Sequence, residues 1–118
     1  YVPFPGDPHS DHRIVFEAIE ACSKSFRYPF INIIRAYETI SETGQQLDPT
    51  KMTFRPNLWI DISDYLHKKL ETMKIYSNQI ESHPFPRSLT GIESMAILRG
   101  AESGVEYAEA FMTLKEIL

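Results

Sequence analysis

Proline placement is the strongest constraint on how this chain can fold. Eight prolines interrupt 118 residues. Each lacks an amide donor and fixes its own φ, so no helix can run through Ser82-His83-Pro84-Phe85-Pro86-Arg87, which must be loop. Polar Ser41 to Thr50 closes on Asp48-Pro49 as a second loop, and Pro56-Asn57 turns the chain into a new element.

Periodicity fills the windows between these breaks. Ser10 or Asp11 can cap a helix reaching about Lys24, with Ile14, Val15, Ala18, Ile19 and Cys22 as its apolar stripe. Ile31 to Glu38 alternates and is rich in β-branched residues, which favours a strand, and Leu58 to Ile62 forms another. Ser63 can cap a second helix to about Gln79 that buries Ile62, Leu66, Leu70, Met73 and Tyr76 and leaves His67 on a solvated face. Thr90-Gly91-Ile92-Glu93 reads as a capping box for a third helix ending near Gly100 or Gly104, and Val105 to Met112 closes the pattern as a strand. The order helix, strand, strand, helix, helix, strand predicts an α/β fold, helices on a sheet.

Composition narrows the function classes. The net charge is −4 and no basic run exceeds Lys68-Lys69, so there is no electrostatic footprint for nucleic acid or an anionic membrane. No stretch of about 18 apolar residues spans a bilayer, and no charged-then-apolar start reads as a signal peptide. Cys22 is the lone cysteine, which excludes an internal disulfide and fits a reducing compartment, so the expected location is cytoplasmic. On the apolar stripe it reads as a core residue.

Chemistry concentrates in Gly6-Asp7-Pro8-His9-Ser10-Asp11-His12-Arg13, where two imidazoles stand three residues apart at a loop-to-helix junction. One imidazole can coordinate a cation while the other reaches substrate or water. Residues of these types also cap helices and sit on solvated surfaces, so the octapeptide admits both readings. A hydrolytic zinc site needs about three protein ligands, an open position, a base and an oxyanion donor. His12 can supply one ligand, His9 the donor, and Asp11 the carboxylate that fixes a ring tautomer.

The segment from Pro5 to Arg13 resembles the second metal motif of the LmbE-like, PIG-L type zinc deacetylases. The resemblance continues through Tyr37 to Thr43, Phe54 to Ser63, Tyr76 to Gln79, Arg99-Gly100 and Tyr107 to Phe111. It implies a Zn2+ ligand at His12, a polarising or protonating His9 and an orienting Asp11. It further implies an N-acetylglucosamine-containing amino-sugar substrate losing its acetyl group, and a homo-oligomer, trimeric or hexameric. Members of the family also carry an Ala-His-Pro-Asp-Asp motif with two further ligands and the general base, and no such motif occurs here. Residues 1–118 are therefore expected to be the C-terminal portion of one such domain. The implied fold is a Rossmann-like three-layer parallel sheet lacking its leading strands and first metal motif.

Tyr37, Thr39, Ser41 and Thr43 can line a sugar pocket or form an ordinary strand end and loop. Arg87 can pair with a phosphate or carboxylate on the substrate, or lie at the surface. A mycothiol-type or bacillithiol-type conjugate would suit the same chemistry. The competing expectation is a metal-free binding or assembly module, degenerate from this family, whose histidines only cap a helix.

Overall fold

Four strands and three α-helices give a mixed α/β architecture in the computed structural model, which describes residues 1–118. In chain order the elements are β1 (Val2–Pro3), α1 (Ser10–Ala21), β2 (Ile33–Tyr37), β3 (Leu58–Asp61), α2 (Leu66–Ile75), α3 (Leu89–Ser103) and β4 (Ala108–Glu116), with a 3₁₀ turn at Ser77–Gln79 before α3. The strands form one four-stranded sheet in the order β1-β2-β4-β3. β1 runs parallel to β2, as a crossover through a helix requires, whereas β4 runs antiparallel to β2, so the sheet is mixed rather than wholly parallel. No helix is long and apolar enough to cross a membrane.

The chain divides into two units, residues 1–58 with 111–118 and residues 59–110. In the first, Val2, Ile34 and Ala36 form a buried cluster on which Phe16, Ile19, Ile31 and Met112 pack. Alternation places Ile34 and Ala36 on the buried face of β2 and leaves Ile33 exposed. A register shift between Ile34 and Arg35 marks an irregularity opposite β4. Lys115 donates to the Ser23 carbonyl at 2.9 Å, tying β4 to the segment that follows α1.

The apolar stripe of α1 differs from its expected position. His12, Phe16 and Ile19, at helical spacing, form the less exposed face, while Ile14 and Val15 face solvent. β-branched residues at 14 and 15 suggested a buried stripe, but the strand surface beneath α1 meets the row one position further round. His12 is therefore on the packed side.

In the second unit Ile62, Leu66 and Ala96 form the buried cluster, with Leu70 and Tyr107 against it, and α2 packs on α3. The helix after β3 begins at Leu66 rather than Ser63, because Asp61 accepts both the Ser63 amide (2.9 Å) and its hydroxyl (2.6 Å) and holds that segment as a turn. Tyr76 is exposed and lies beyond the last helical turn. α3 is capped by Ser88, buried, whose hydroxyl accepts the Gly91 amide at 3.0 Å, two residues before the expected Thr90. Gly104 ends α3 with a φ of 77°, a left-handed conformation that glycine adopts without a Cβ penalty. Val105 then bonds back to the Gly100 carbonyl (3.1 Å) and Tyr107 to the Ser63 hydroxyl (3.3 Å), so the strand starts later than periodicity suggests and extends to Glu116.

Candidate metal and acid–base site

The histidine octapeptide is set by the end of β1. Val2 and Pro3 lie in register with Ala36 and Tyr37, and the Phe4 amide extends this ladder to the Tyr37 carbonyl at 3.1 Å. Phe4-Pro5-Gly6-Asp7 then reverses direction, the Asp7 amide donating to the Phe4 carbonyl at 3.2 Å. Phe4 is 1% exposed and stacks edge-on against Phe54 with centroids 5.4 Å apart. The turn therefore rests on a fixed aromatic floor. Gln46 closes it from outside by donating to the Gly6 carbonyl at 3.0 Å. All of this lies where parallel β1 and β2 end, the position at which open α/β sheets present their sites.

The turn delivers Asp7 beneath the first turn of α1. Asp7 is wholly buried, and its Oδ2 stands 2.8 Å from Nδ1 of His12, whose side chain is 21% exposed. A carboxylate only accepts, so Nδ1 of His12 is the donor of this bond, and a neutral ring so bonded has its lone pair on Nε2. Nε2 makes no hydrogen bond to the protein. This is the arrangement by which a carboxylate orients a metal-ligating histidine. The second carboxylate oxygen, Oδ1, is buried without a hydrogen-bond partner, so the His12 ring is the one side chain that bonds this group.

His9 plays a different part. It is the N-cap of α1, its Nδ1 accepting the Asp11 amide at 3.1 Å, in the manner usually served by Ser or Asp. An accepting Nδ1 requires the neutral ring to hold its proton on Nε2. The two rings stack with centroids 5.1 Å apart and planes 24° from parallel. As neutral rings the two neighbours would therefore be opposite tautomers, with a lone pair on Nε2 of His12 and an N–H on Nε2 of His9.

The residues expected from sequence distribute as follows. His9, Asp11 and His12 come together at the start of α1. Asp11 contributes through its backbone amide, its carboxylate meeting only the Ser10 hydroxyl at 3.4 Å, so the carboxylate on an imidazole is that of Asp7. As an acid in the first helical turn, Asp11 also complements the helix dipole. Tyr37 closes β2 beside the turn that carries Asp7. Thr39 and Thr43 form a small closed loop in which the Thr43 hydroxyl accepts the Thr39 amide at 2.8 Å. Arg87 belongs to the second unit, where its Nε donates to the Gln79 carbonyl at 3.1 Å and its guanidinium lies over the Phe85 ring.

Asp7, Gly6 and Gln46 were not among the expected site residues. Asp7 was legible in principle as a carboxylate directly after a Pro-Gly turn and just ahead of a helix, where it can fold back onto the first turn. Gln46 lies forty positions from its partner and carries no local signal. No three His, Cys, Asp or Glu side chains converge on one point, so His12 is a single candidate ligand with its outer-shell carboxylate. No protein-family model matches the sequence.

Proposed function

We propose that these residues contribute to zinc-dependent hydrolysis of the N-acetyl group of an N-acetylglucosamine-containing substrate. The observation that carries it is the Asp7–His12 pair, a buried carboxylate on one ring nitrogen with the other nitrogen unengaged. The donor set suits zinc, which takes imidazole nitrogen readily and favours a histidine held by a carboxylate. When bound, zinc would polarise the acetamide and lower the pKa of a water.

On this proposal His12 is a ligand through Nε2, and Asp7 holds its ring. His9 donates from Nε2 to the oxygen on which negative charge develops during attack, its tautomer set by the Asp11 amide. Tyr37 is a candidate contact to the sugar. The two further ligands and the general base belong to the Ala-His-Pro-Asp-Asp motif that this sequence does not contain. The Rossmann-like identity of the fold, its place as part of a larger deacetylase domain and a trimeric or hexameric assembly belong to the same proposal. β1-α1-β2, a parallel pair joined through a helix, supports the first of these.

The test is a substitution that keeps the fold and removes the ligand. His12→Ala would leave the buried Asp7 carboxylate uncompensated at a cost of several kcal/mol. His12→Asn retains an N–H donor near the position of Nδ1 and lacks Nε2. In the natural polypeptide that carries these residues, acetate release from N-acetylglucosamine derivatives is expected to cease with a chelator, return with zinc and disappear in His12→Asn with its bound zinc. Stoichiometric zinc retained in a folded His12→Asn protein overturns the assignment. The capping role of His9 favours the metal-free module, since a cap needs no cation; chelator-sensitive acetate release excludes that alternative.

A further inference from the structure

The geometry points to Asp7 as the positioning residue of this site, fixing His12 as the Nδ1–H tautomer so that the Nε2 lone pair is presented before any cation arrives. Three observations converge on it. Asp7 is wholly buried and has His12 as its one side-chain partner, at 2.8 Å. Its backbone is held at both ends, by the Asp7–Phe4 turn bond and by Gln46 on the preceding carbonyl. Gly6 brings the turn close against the Met52 backbone, since a Cβ there would lie 2.7 Å from the Met52 carbonyl oxygen.

An imidazole free in water favours the Nε2–H form, in which the nitrogen needed for a cation carries the proton. A buried acceptor at Nδ1 reverses this preference, and ring rotation is opposed because it would strand the carboxylate in a dry site. The nearer carboxylate in sequence, Asp11, does none of this, since its oxygens meet only Ser10. The tautomer claim is independent of the proposed deacetylase function; the consequence for zinc rests on it.

The experiment is ¹⁵N NMR of the histidine rings without metal, recorded where raising the pH no longer changes the ring shifts. In the unmodified protein the His12 ring is expected to show a protonated Nδ1 and an unprotonated Nε2, with His9 the reverse. An Nε2–H tautomer at His12 overturns the proposal and requires no variant to fold. Asp7→Leu, which keeps the branched shape and removes the acceptor, is expected to move the His12 ring toward Nε2–H and to weaken zinc binding, measured by competition with a chromogenic chelator, by about 10- to 100-fold. Asp11→Asn is expected to leave the His12 tautomer as it was. If Asp7→Leu changes neither the tautomer nor the affinity, the positioning role is refuted. If the Nδ1–H tautomer is found but the natural polypeptide takes up no zinc, the zinc hydrolase proposal fails and the role of Asp7 as tautomer anchor stands.

Discussion

Gly6→Ala measures how tightly the site turn is built. The backbone at Gly6 does not need glycine's freedom, since Gly104 is the glycine with positive φ; what it needs is space. An added Cβ would fall 2.4 Å from Cε1 and 2.8 Å from Cζ of Phe4, and 2.7 Å from the Met52 carbonyl oxygen. The ring cannot swing aside, because Phe4 is buried and stacked on Phe54, and the oxygen is backbone. Overpacking of this kind costs about 1–3 kcal/mol, toward the upper end where both neighbours are fixed. Alanine recovers about 0.4–1 kcal/mol by restricting the unfolded chain. The net loss is roughly 1–2 kcal/mol, which with a urea dependence of about 1.5 kcal/mol per molar lowers the midpoint by about 1 M. Gly44→Ala is the matched control, with no atom within 4 Å of its Cβ, and should leave the midpoint unchanged or slightly raised. Urea denaturation followed by far-UV circular dichroism reads both. A Gly6→Ala protein as resistant as the unmodified one would refute the packing argument and, with it, the claim that the turn holds Asp7 rigidly.

Ser88→Ala should destabilise by about 1–2 kcal/mol, because it removes a buried cap from α3, whereas Thr90→Ala should change stability by less than about 0.5 kcal/mol; thermal unfolding of the pair checks which residue begins the helix. Glu102 is held below its ordinary pKa by hydrogen bonds from Arg99 and then from the Trp59 indole, so its contribution to stability is full above the ordinary glutamate pKa and is lost as pH falls through the lower, folded-state value. Trp59 is the one tryptophan, and its emission should report that acid transition at a midpoint below the usual glutamate range, moving upward in Arg99→Ala. A midpoint unmoved by that substitution contradicts the assigned cause.

Order and type of the main elements were legible because their signals are local. Alternation at Ile33–Tyr37, the double proline before α3 and the glycine at its end each act within a few residues. The exceptions arose where a side chain satisfied backbone groups ahead of a better-known signal. Asp61 drew Ser63 into a turn and delayed α2, Ser88 capped α3 ahead of Thr90, and His9 took the cap expected of Ser10 or Asp11. The antiparallel placement of β4 depends on pairing between residues some eighty positions apart, which no local pattern records. In the site, the grouping of His9, Asp11 and His12 follows from helical spacing, but which carboxylate meets which ring depends on the Phe4–Asp7 turn. That turn depends in turn on Phe54, Met52 and Gln46, far along the chain.

The same dependence explains why two imidazoles so close in sequence are chemically distinct. Both rings use Nδ1 for the fold, but His12 meets a carboxylate oxygen and His9 a backbone amide, so one Nδ1 donates and the other accepts. In neutral rings the Nε2 atoms left over then have opposite character, an electron pair on His12 and a proton on His9. On the proposed function the two would serve differently, the His12 lone pair toward a cation and the His9 N–H toward the oxygen that gains charge. A helix terminus alone would not supply this pairing, since capping accounts for His9 and leaves His12 free to take either tautomer. It is the buried Asp7, fixed by the end of a parallel strand, that separates the two roles, and this is why the site belongs to the junction of β1 with α1 rather than to the histidine motif by itself.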